Sequence, residues 1–269
     1  MNEKLILITG STDGIGYQAA IELVRLGHHV IIHGRNQEKA KQTIQKIEKE
    51  TKNGNLSYIY ADLGSIAQIK TMVSEIYDRF ERLDVLINNA GVIRPERTVN
   101  KDGLEETFAI NYLAPFLLSN LLIELLKKGK SSRIVNVVSR VQSNQLDFND
   151  LQLEREYTAV KAYAKSKTAL ILFTYFLAEK LQDKGITVNC LHPGVINTKL
   201  LRAAFGMGGA SLTEGAKTLV FAATAPKLED VSGKYFLNNR SSYSKEITYD
   251  RKVQKTLWKK TEEILDFQL

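Results

Sequence analysis

Cysteine is nearly absent from this chain: one occurs in 269 residues. An intrachain disulfide is therefore excluded, and Cys190, set in the apolar run "ITVNCLHPG", reads as a small buried side chain. Histidine is scarce too. His28, His29, His33 and His192 follow no ligand spacing such as H-x-x-x-H, so no metal site is expected. Long hydrophobic runs are missing. The opening "MNEKLILITGS" has an apolar part far too short for a signal-peptide core or a spanning helix, and no other stretch approaches one. The expected setting is a soluble, cytoplasmic protein. Clustered charge is missing as well. The formal charge is +7, but lysine and arginine are spread along the chain and form no basic stripe with interleaved aromatics. That argues against a nucleic-acid partner and leaves small anions such as phosphates as ligands. A homo-oligomer is compatible with the sequence.

What is present suits a sizeable core: 43% of residues are hydrophobic and 25% charged. "KLILITG" reads as a buried strand, and apolar residues at Ile15, Ala19, Leu23 and Leu26 give the next segment a helical period. "HHVIIHGR" is a second strand, followed by a charged helix that Asn36 caps. "LSYIYADL" and a helix capped by Ser65 follow. "LDVLINNAG" is the fourth strand, and a long helical pattern runs from about Leu104 to Lys128. "SRIVNVVS", a polar loop from Arg140 to about Arg155, a helix over roughly 157–184 and "ITVNCLHPG" come next. A Gly-rich stretch at 205–210 precedes a helix near Thr213. "GKYFLN" is the seventh strand, and a tail helix at about 250–267 carries Trp258, the only tryptophan. Strands alternating with helices require right-handed crossovers and a parallel sheet. No linker or repeat divides the chain. The expectation is one α/β domain over 1–269, doubly wound, with a mostly parallel seven-stranded sheet and helices on both faces. Residues of about 195–212 would cover the substrate.

"TGSTDGIG", Thr9 to Gly16, joins the first strand to the first helix. Gly10, Gly14 and Gly16 permit a tight turn, and a helix N-terminus offers free N–H groups to a pyrophosphate. A cofactor with a free ribose 2′-hydroxyl usually meets a carboxylate at the end of the second strand. Here His33 and Gly34 stand there and Arg35 follows, a guanidinium suited to a 2′-phosphate, so NADP is favoured over NAD. Asp62, just beyond the third strand, is placed to accept from an adenine amino group.

With "NNAG" (Asn88–Gly91), "YAKSK" (Tyr163–Lys167) and "HPG" (His192–Gly194) in order along the chain, the sequence resembles the short-chain dehydrogenase/reductase family. That resemblance implies a Rossmann domain. It also implies a cofactor site drawn from Gly10, Ser11, Thr12, Asp13, Gly14, Ile15, Gly16, Arg35, Asp62, Leu63, Asn89, Ala90, Gly91, Tyr163, Lys167, Pro193, Gly194, Val195 and Thr198. Ser139 would bond the substrate oxygen, and Asn111 in "AINYLAPF" matches the asparagine whose backbone holds a relay water. The chemistry of the Tyr–Lys pair is physical. A phenol near pKa ~10 carries protons poorly at neutral pH, and a cation one helical turn away, Lys167 beside Tyr163, favours its phenolate. Tyr163 then protonates a carbonyl or deprotonates an alcohol. "YTAVK" repeats the pattern with Tyr157 and Lys161, but the small residues flanking Lys167 match the family motif better.

Ser139 and Tyr163 lie 24 positions apart, and the insert between them carries "DFNDL". The insert and the tail "DRKVQKTLWKKTEEIL" resemble the retinol-dehydrogenase-like and WW-domain-oxidoreductase-like subgroup. The implied function is NADP(H)-dependent hydride transfer to or from a small-molecule carbonyl or alcohol. The substrate is expected to be apolar, covered by Leu200, Leu201, Phe205 and Met207. The alternative from another class is a catalytically weak dinucleotide-binding regulator. The Ser–Tyr–Lys set argues against it. A nucleotide-sugar epimerase would need a different glycine spacing and a longer chain.

Overall fold

Side chains that alternate along a strand face opposite sides of a sheet, and here both sides are covered, so the core splits into two layers. The computed structural model describes residues 3–267, with only the backbone of residues 204 and 205. Seven strands carry the frame: β1 (Leu5–Ile8), β2 (His29–Gly34), β3 (Leu56–Tyr60), β4 (Val85–Asn88), β5 (Ser132–Val137), β6 (Ile186–His192) and β7 (Tyr235–Leu237). These strands run β3-β2-β1-β4-β5-β6-β7 across the sheet, all parallel. Ile6, Ile8, Val30, Ile32, Val85 and Ile87 face one layer, with helices α1 (Gly14–Arg25) and α9 (Leu212–Thr224) packed on it. Leu5, Leu7, Ile31, Leu86 and Ile134 face the other, covered by α3 (Ile66–Arg79), α5 (Ala114–Leu121), α7 (Ala159–Lys180) and α10 (Arg251–Leu265). α2 (Gln37–Thr51) follows β2. Strand order reverses between β1 and β4, which opens a crevice at the strands' C-terminal ends.

Three features depart from the sequence reading. The sheet has eight strands, not seven. β8 (Arg240–Ser242) pairs antiparallel with β7 through a tight turn in which Asn238 and Asn239 take φ of 50° and 60°. Asparagine tolerates that left-handed conformation, while "RSS" has no apolar alternation to betray a strand. The long helix expected over 104–128 is in pieces: α4 (Glu106–Phe108), a π-helical turn (Ala109–Leu113), α5, and α6 (Ile123–Lys127). A π turn is a hydrogen-bond shift that leaves apolar periodicity almost intact. Finally, the segment after β6 contains a helix, α8 (Lys199–Phe205), capped by Thr198 and ended by Gly206 at φ 61°. The other boundaries shift by a few residues, as when the helix expected over roughly 157–184 runs from Ala159 to Lys180 with Thr158 as its cap.

α10 is held by rings. Trp258 is 5% exposed, and its ring centre lies 4.8 Å from that of Phe116 and 4.9 Å from that of Phe176. Lys180 sits over its face at 4.5 Å. Deep in the same layer Tyr112 Oη is 2.6 Å from Thr261 Oγ1. Trp258→Ala should therefore cost about 3–5 kcal/mol, the range for a large buried ring. Urea unfolding measures it. A loss below about 1 kcal/mol would mean that α10 only leans on the core.

Candidate functional site

The turn after β1 is built by two close approaches. Gly10 has φ +65°, and a Cβ there would fall 2.9 Å from Ala90 Cα. A Cβ on Gly16 would fall 2.5 Å from Asn89 Nδ2 and 2.7 Å from the Gly10 carbonyl oxygen. The loop is tied in place from β2 and β4. The Gly10 N–H donates to His33 Nδ1 at 3.1 Å, and the His33 N–H donates to Ser11 Oγ at 2.9 Å. Asn89 Nδ2 donates to the Thr9 carbonyl at 2.8 Å. Accepting at Nδ1, neutral His33 carries its proton on Nε2. Full burial pulls its pKa down to about 4.

A cleft of about 790 Å³ runs from this loop along the strand ends. Thr12, Asp13, Gly14 and Ile15 line it beside Gly10, where α1 begins. Asp13 caps that helix: its carboxylate accepts from the Gly14 N–H at 2.8 Å and also meets Lys199. The Lys199 contact holds the Asp13 carboxyl below its usual range. At one end stand Arg35, Asp62 and Leu63; in the middle Asn89, Ala90 and Gly91; on the far wall Pro193, Gly194, Val195 and Thr198. Ser11 and Gly16 do not line the cleft. They lie behind it, where they shape the loop.

At the other end the structure gathers Ser139, Tyr163 and Lys167. α7 starts at the end of β5 and lays Lys167 along it, so the Lys167 amine, 3% exposed, donates to the Val137 carbonyl at 2.8 Å. The same amine is 5.6 Å from the Tyr163 ring centre. Burial lowers the Lys167 pKa to about 8. Burial also raises the Tyr163 phenol above its ordinary range, and the Ser139 hydroxyl pulls it back. The expected pull from Lys167 on the phenol is outweighed by this desolvation, which the sequence does not display. Asn111 is fully buried in the π turn and does not line the cleft. Its carboxamide accepts from the Val92 N–H at 2.8 Å and donates to the Val92 carbonyl and to Ser166 Oγ.

The rival pair is elsewhere. Tyr157 donates to the Arg94 carbonyl at 3.0 Å, Lys161 pairs with Glu156, and neither lines the cleft. Leu200 and Leu201 line the cleft, half-buried, while Met207 is exposed and outside it; the Phe205 side chain lies outside the described residues. Sequence reasoning missed His33, Lys39, Arg140, His192 and Lys199, all of which line the cleft. Two of them had a signal: His33 by its place one residue before Gly34 at the strand end, and His192 by opening the "HPG" motif.

Residues 4–207 match the short chain dehydrogenase family, and this protein belongs to that family. Among particular relatives, human polyprenol dehydrogenase is 41% identical, with 96% of this chain and 84% of that protein covered. Human retinol dehydrogenase 13 is 38% identical over 95% of this chain and 82% of that one. A short chain dehydrogenase from Shigella flexneri, complexed with NADP, superposes with a TM-score of 0.73 at 25% identity, covering 89% of this chain and 98% of that one. No helix among the described residues is long and apolar enough to cross a membrane, and no group of His, Cys, Asp and Glu among them could hold a metal ion.

The residues present fit a dinucleotide. The cleft is within the usual range for cofactor sites, ~300–1,000 Å³. It opens on the N-terminus of α1 and carries Arg35 and Lys39 at one end. Gly91 lines the cleft, and a Cβ there would stand at ordinary contact distance, 3.5 Å from Lys167 Nζ and 3.4 Å from Asn111 Oδ1.

The His33 bond makes a pH test. With a folded pKa near 4 against an ordinary 6.5, neutral His33 stabilises the fold above 6.5, and that contribution is lost as pH falls through about 4. Protonation also takes away the acceptor for the Gly10 N–H. Relative to His33→Asn, the protein should lose up to about 3 kcal/mol between pH 7 and pH 4 in urea unfolding. Parallel pH curves for the two proteins would show that His33 does not titrate with folding.

Proposed function

We propose that this protein is an NADP(H)-dependent oxidoreductase that interconverts a carbonyl and an alcohol on an apolar substrate, and that it works in the cytoplasm. The observation that carries the reading is the meeting of Ser139, Tyr163 and Lys167 at the end of β5, in the cleft that begins at the glycine loop. When bound, the nicotinamide supplies or takes up the hydride. The Tyr163 hydroxyl gives its proton to the carbonyl oxygen, or takes one from the alcohol in the other direction. Ser139 donates to the same oxygen and orients it. Lys167 adds its charge beneath the phenol and bonds the cofactor's ribose. Asn111 acts through Val92, pinning the strand-end backbone beside the cleft. Arg35 takes the 2′-phosphate, Asp62 the adenine amine, and Thr198 the carboxamide side. Val195, Ile196, Leu200 and Leu201 give the substrate an apolar wall. The names of the two human relatives, a polyprenol and a retinol dehydrogenase, point to long apolar alcohols and support that class.

Tyr163→Phe should lower kcat by about 10²–10⁴, the usual worth of a positioned proton carrier, while NADPH affinity stays within a few-fold. Tyr157→Phe should stay within a few-fold in both. NADPH oxidation with aldehydes and ketones, paired with fluorescence titration of NADPH, reads both quantities. Loss of turnover in Tyr157→Phe but not in Tyr163→Phe would transfer the role to the other pair.

Arg35→Ala should weaken NADPH binding about tenfold to a hundredfold, the worth of one charge-assisted bond, and leave NADH binding nearly unchanged. Titration of both nucleotides against both proteins measures it. Equal affinity of the unmodified protein for NADH and NADPH would remove the preference.

A further inference from the structure

The end of the cleft that holds Ser139, Tyr163 and Lys167 carries charge of one sign. The acidic side chains that line the cleft are Asp13 and Asp62, both on the cofactor side, and Asp13 is already paired with Lys199. At the substrate end stand Lys167, buried on the Val137 carbonyl, and Arg140, the residue directly after Ser139. Arg140 is exposed, lines the cleft, and makes no hydrogen bond or ion pair among the described residues. Its neighbours are short of partners too. His192 lines the same cleft, 8% exposed, and its Nδ1 is buried with no hydrogen-bond partner. Tyr235, on the adjoining strand, is 2% exposed with an unpartnered hydroxyl. Burial depresses the His192 pKa and the Arg140 charge adds to it; burial raises the Tyr235 phenol and the Arg140 charge opposes that rise. The same cleft is lined by the apolar residues Val141, Val195, Ile196 and Leu201. A guanidinium at the edge of an apolar wall, with no carboxylate of its own, matches a ligand that joins an apolar body to an anionic end.

We infer that Arg140 is a specificity-determining residue that binds an anionic group, a carboxylate or a phosphate ester, at the far end of an otherwise apolar carbonyl or alcohol substrate. The inference rests on the oxidoreductase reading above and names its substrate class more narrowly. The reacting oxygen sits on Ser139 and Tyr163, and the anion on the residue next in the chain. The substrate must therefore fold back or be short enough for both contacts. Once the anion is seated, the apolar chain lies along Val141 and Leu201.

Two measurements test this separately from the parent reading. The first is reduction by NADPH of octanal and of 8-oxooctanoate, which differ in a terminal carboxylate. Wild type, Arg140→Met and Arg140→Lys are compared. The expected wild-type kcat/KM is at least tenfold higher for 8-oxooctanoate. The ratio should fall close to one in Arg140→Met, through KM, and recover in part in Arg140→Lys. A wild-type ratio at or below one overturns the inference, and so does an equal loss for both aldehydes in Arg140→Met. The second is calorimetric titration of octanoate and octanamide into the NADPH-loaded protein, since neither compound can be reduced. Tighter octanoate binding that disappears in Arg140→Met supports the anion site even where no aldehyde turns over, in which case only the oxidoreductase reading fails. Equal binding of octanoate and octanamide, or octanoate binding unchanged in Arg140→Met, sinks the anion site whatever the enzyme reduces.

Discussion

The amine of Lys167 is the constraint on which the site depends. An ammonium group buried at 3% exposure is costly, and the structure offsets the cost with one main-chain acceptor, the Val137 carbonyl at the end of β5. That bond fixes the rotation and height of α7 against the sheet. With α7 fixed, Tyr163 one turn earlier has a single place to go, over the strand end where Ser139 begins the next loop. The same burial that positions the pair sets its chemistry: the lysine is pulled down to about 8 while the phenol is pushed up. Both shifts disfavour the charged form and carry the two pKa values apart, with the amine now below the phenol, in a pocket where charge is expensive.

The layer next to this pair is braced from the π turn. Asn111 spends both ends of its carboxamide on the Val92 backbone and on Ser166, one residue before Lys167. Ser166 in turn donates to the Tyr163 carbonyl at 2.8 Å. A π turn rotates the residues before and after it relative to an α-helix, and that extra rotation lets Asn111 face the end of β4 while Phe108 and Tyr112 stay in the core. Below, Asn88 donates to Asn136 and to Ser119, and Asn136 donates to Thr174 on α7. β4, β5, α5 and α7 are thus cross-linked by polar bonds inside an apolar layer. Such bonds fix register more than they add stability, because their alternatives in water are nearly as good.

These physical roles decide what could be read in the sequence. The strands β1, β2, β4, β5 and β6 announced themselves because each is a run buried on both faces, whereas the edge strand β3 buries only Ile59 fully. The glycine loop did so because a Cβ at Gly10 or Gly16 has no room. The Tyr163–Lys167 spacing was visible, but so was Tyr157–Lys161, and spacing alone does not separate them. The difference is where α7 begins: Thr158 caps it, so Tyr157 lies before the first turn and points back to the Arg94 carbonyl. Strand β8 was illegible because a short polar edge strand has no pattern of its own. The π turn was illegible because it is defined by hydrogen bonds, and α8 because its Gly-rich sequel reads as loop. Lys39, Arg140 and Lys199 were missed for a common reason. Each is a long side chain on an ordinary polar stretch, and only the fold brings its charge to the cleft.

That last group changes how the cleft should be pictured electrostatically. Asp13 sits at the N-terminus of α1, where a pyrophosphate would otherwise meet only N–H groups, and a carboxylate there opposes an anionic ligand. Lys199 from α8 and Lys39 from α2, the latter 3.8 Å away, converge on it from opposite walls. Both pairs are exposed, so each is worth little to stability, on the order of 0.2–1 kcal/mol. Their effect on the ligand is larger than their effect on the fold, because together they turn a local negative charge into a local excess of positive charge. The Lys199 pair also ties α8, which carries Leu200 and Leu201, to the glycine loop. The glycine loop and the apolar wall at Leu200 and Leu201 are therefore joined through one carboxylate.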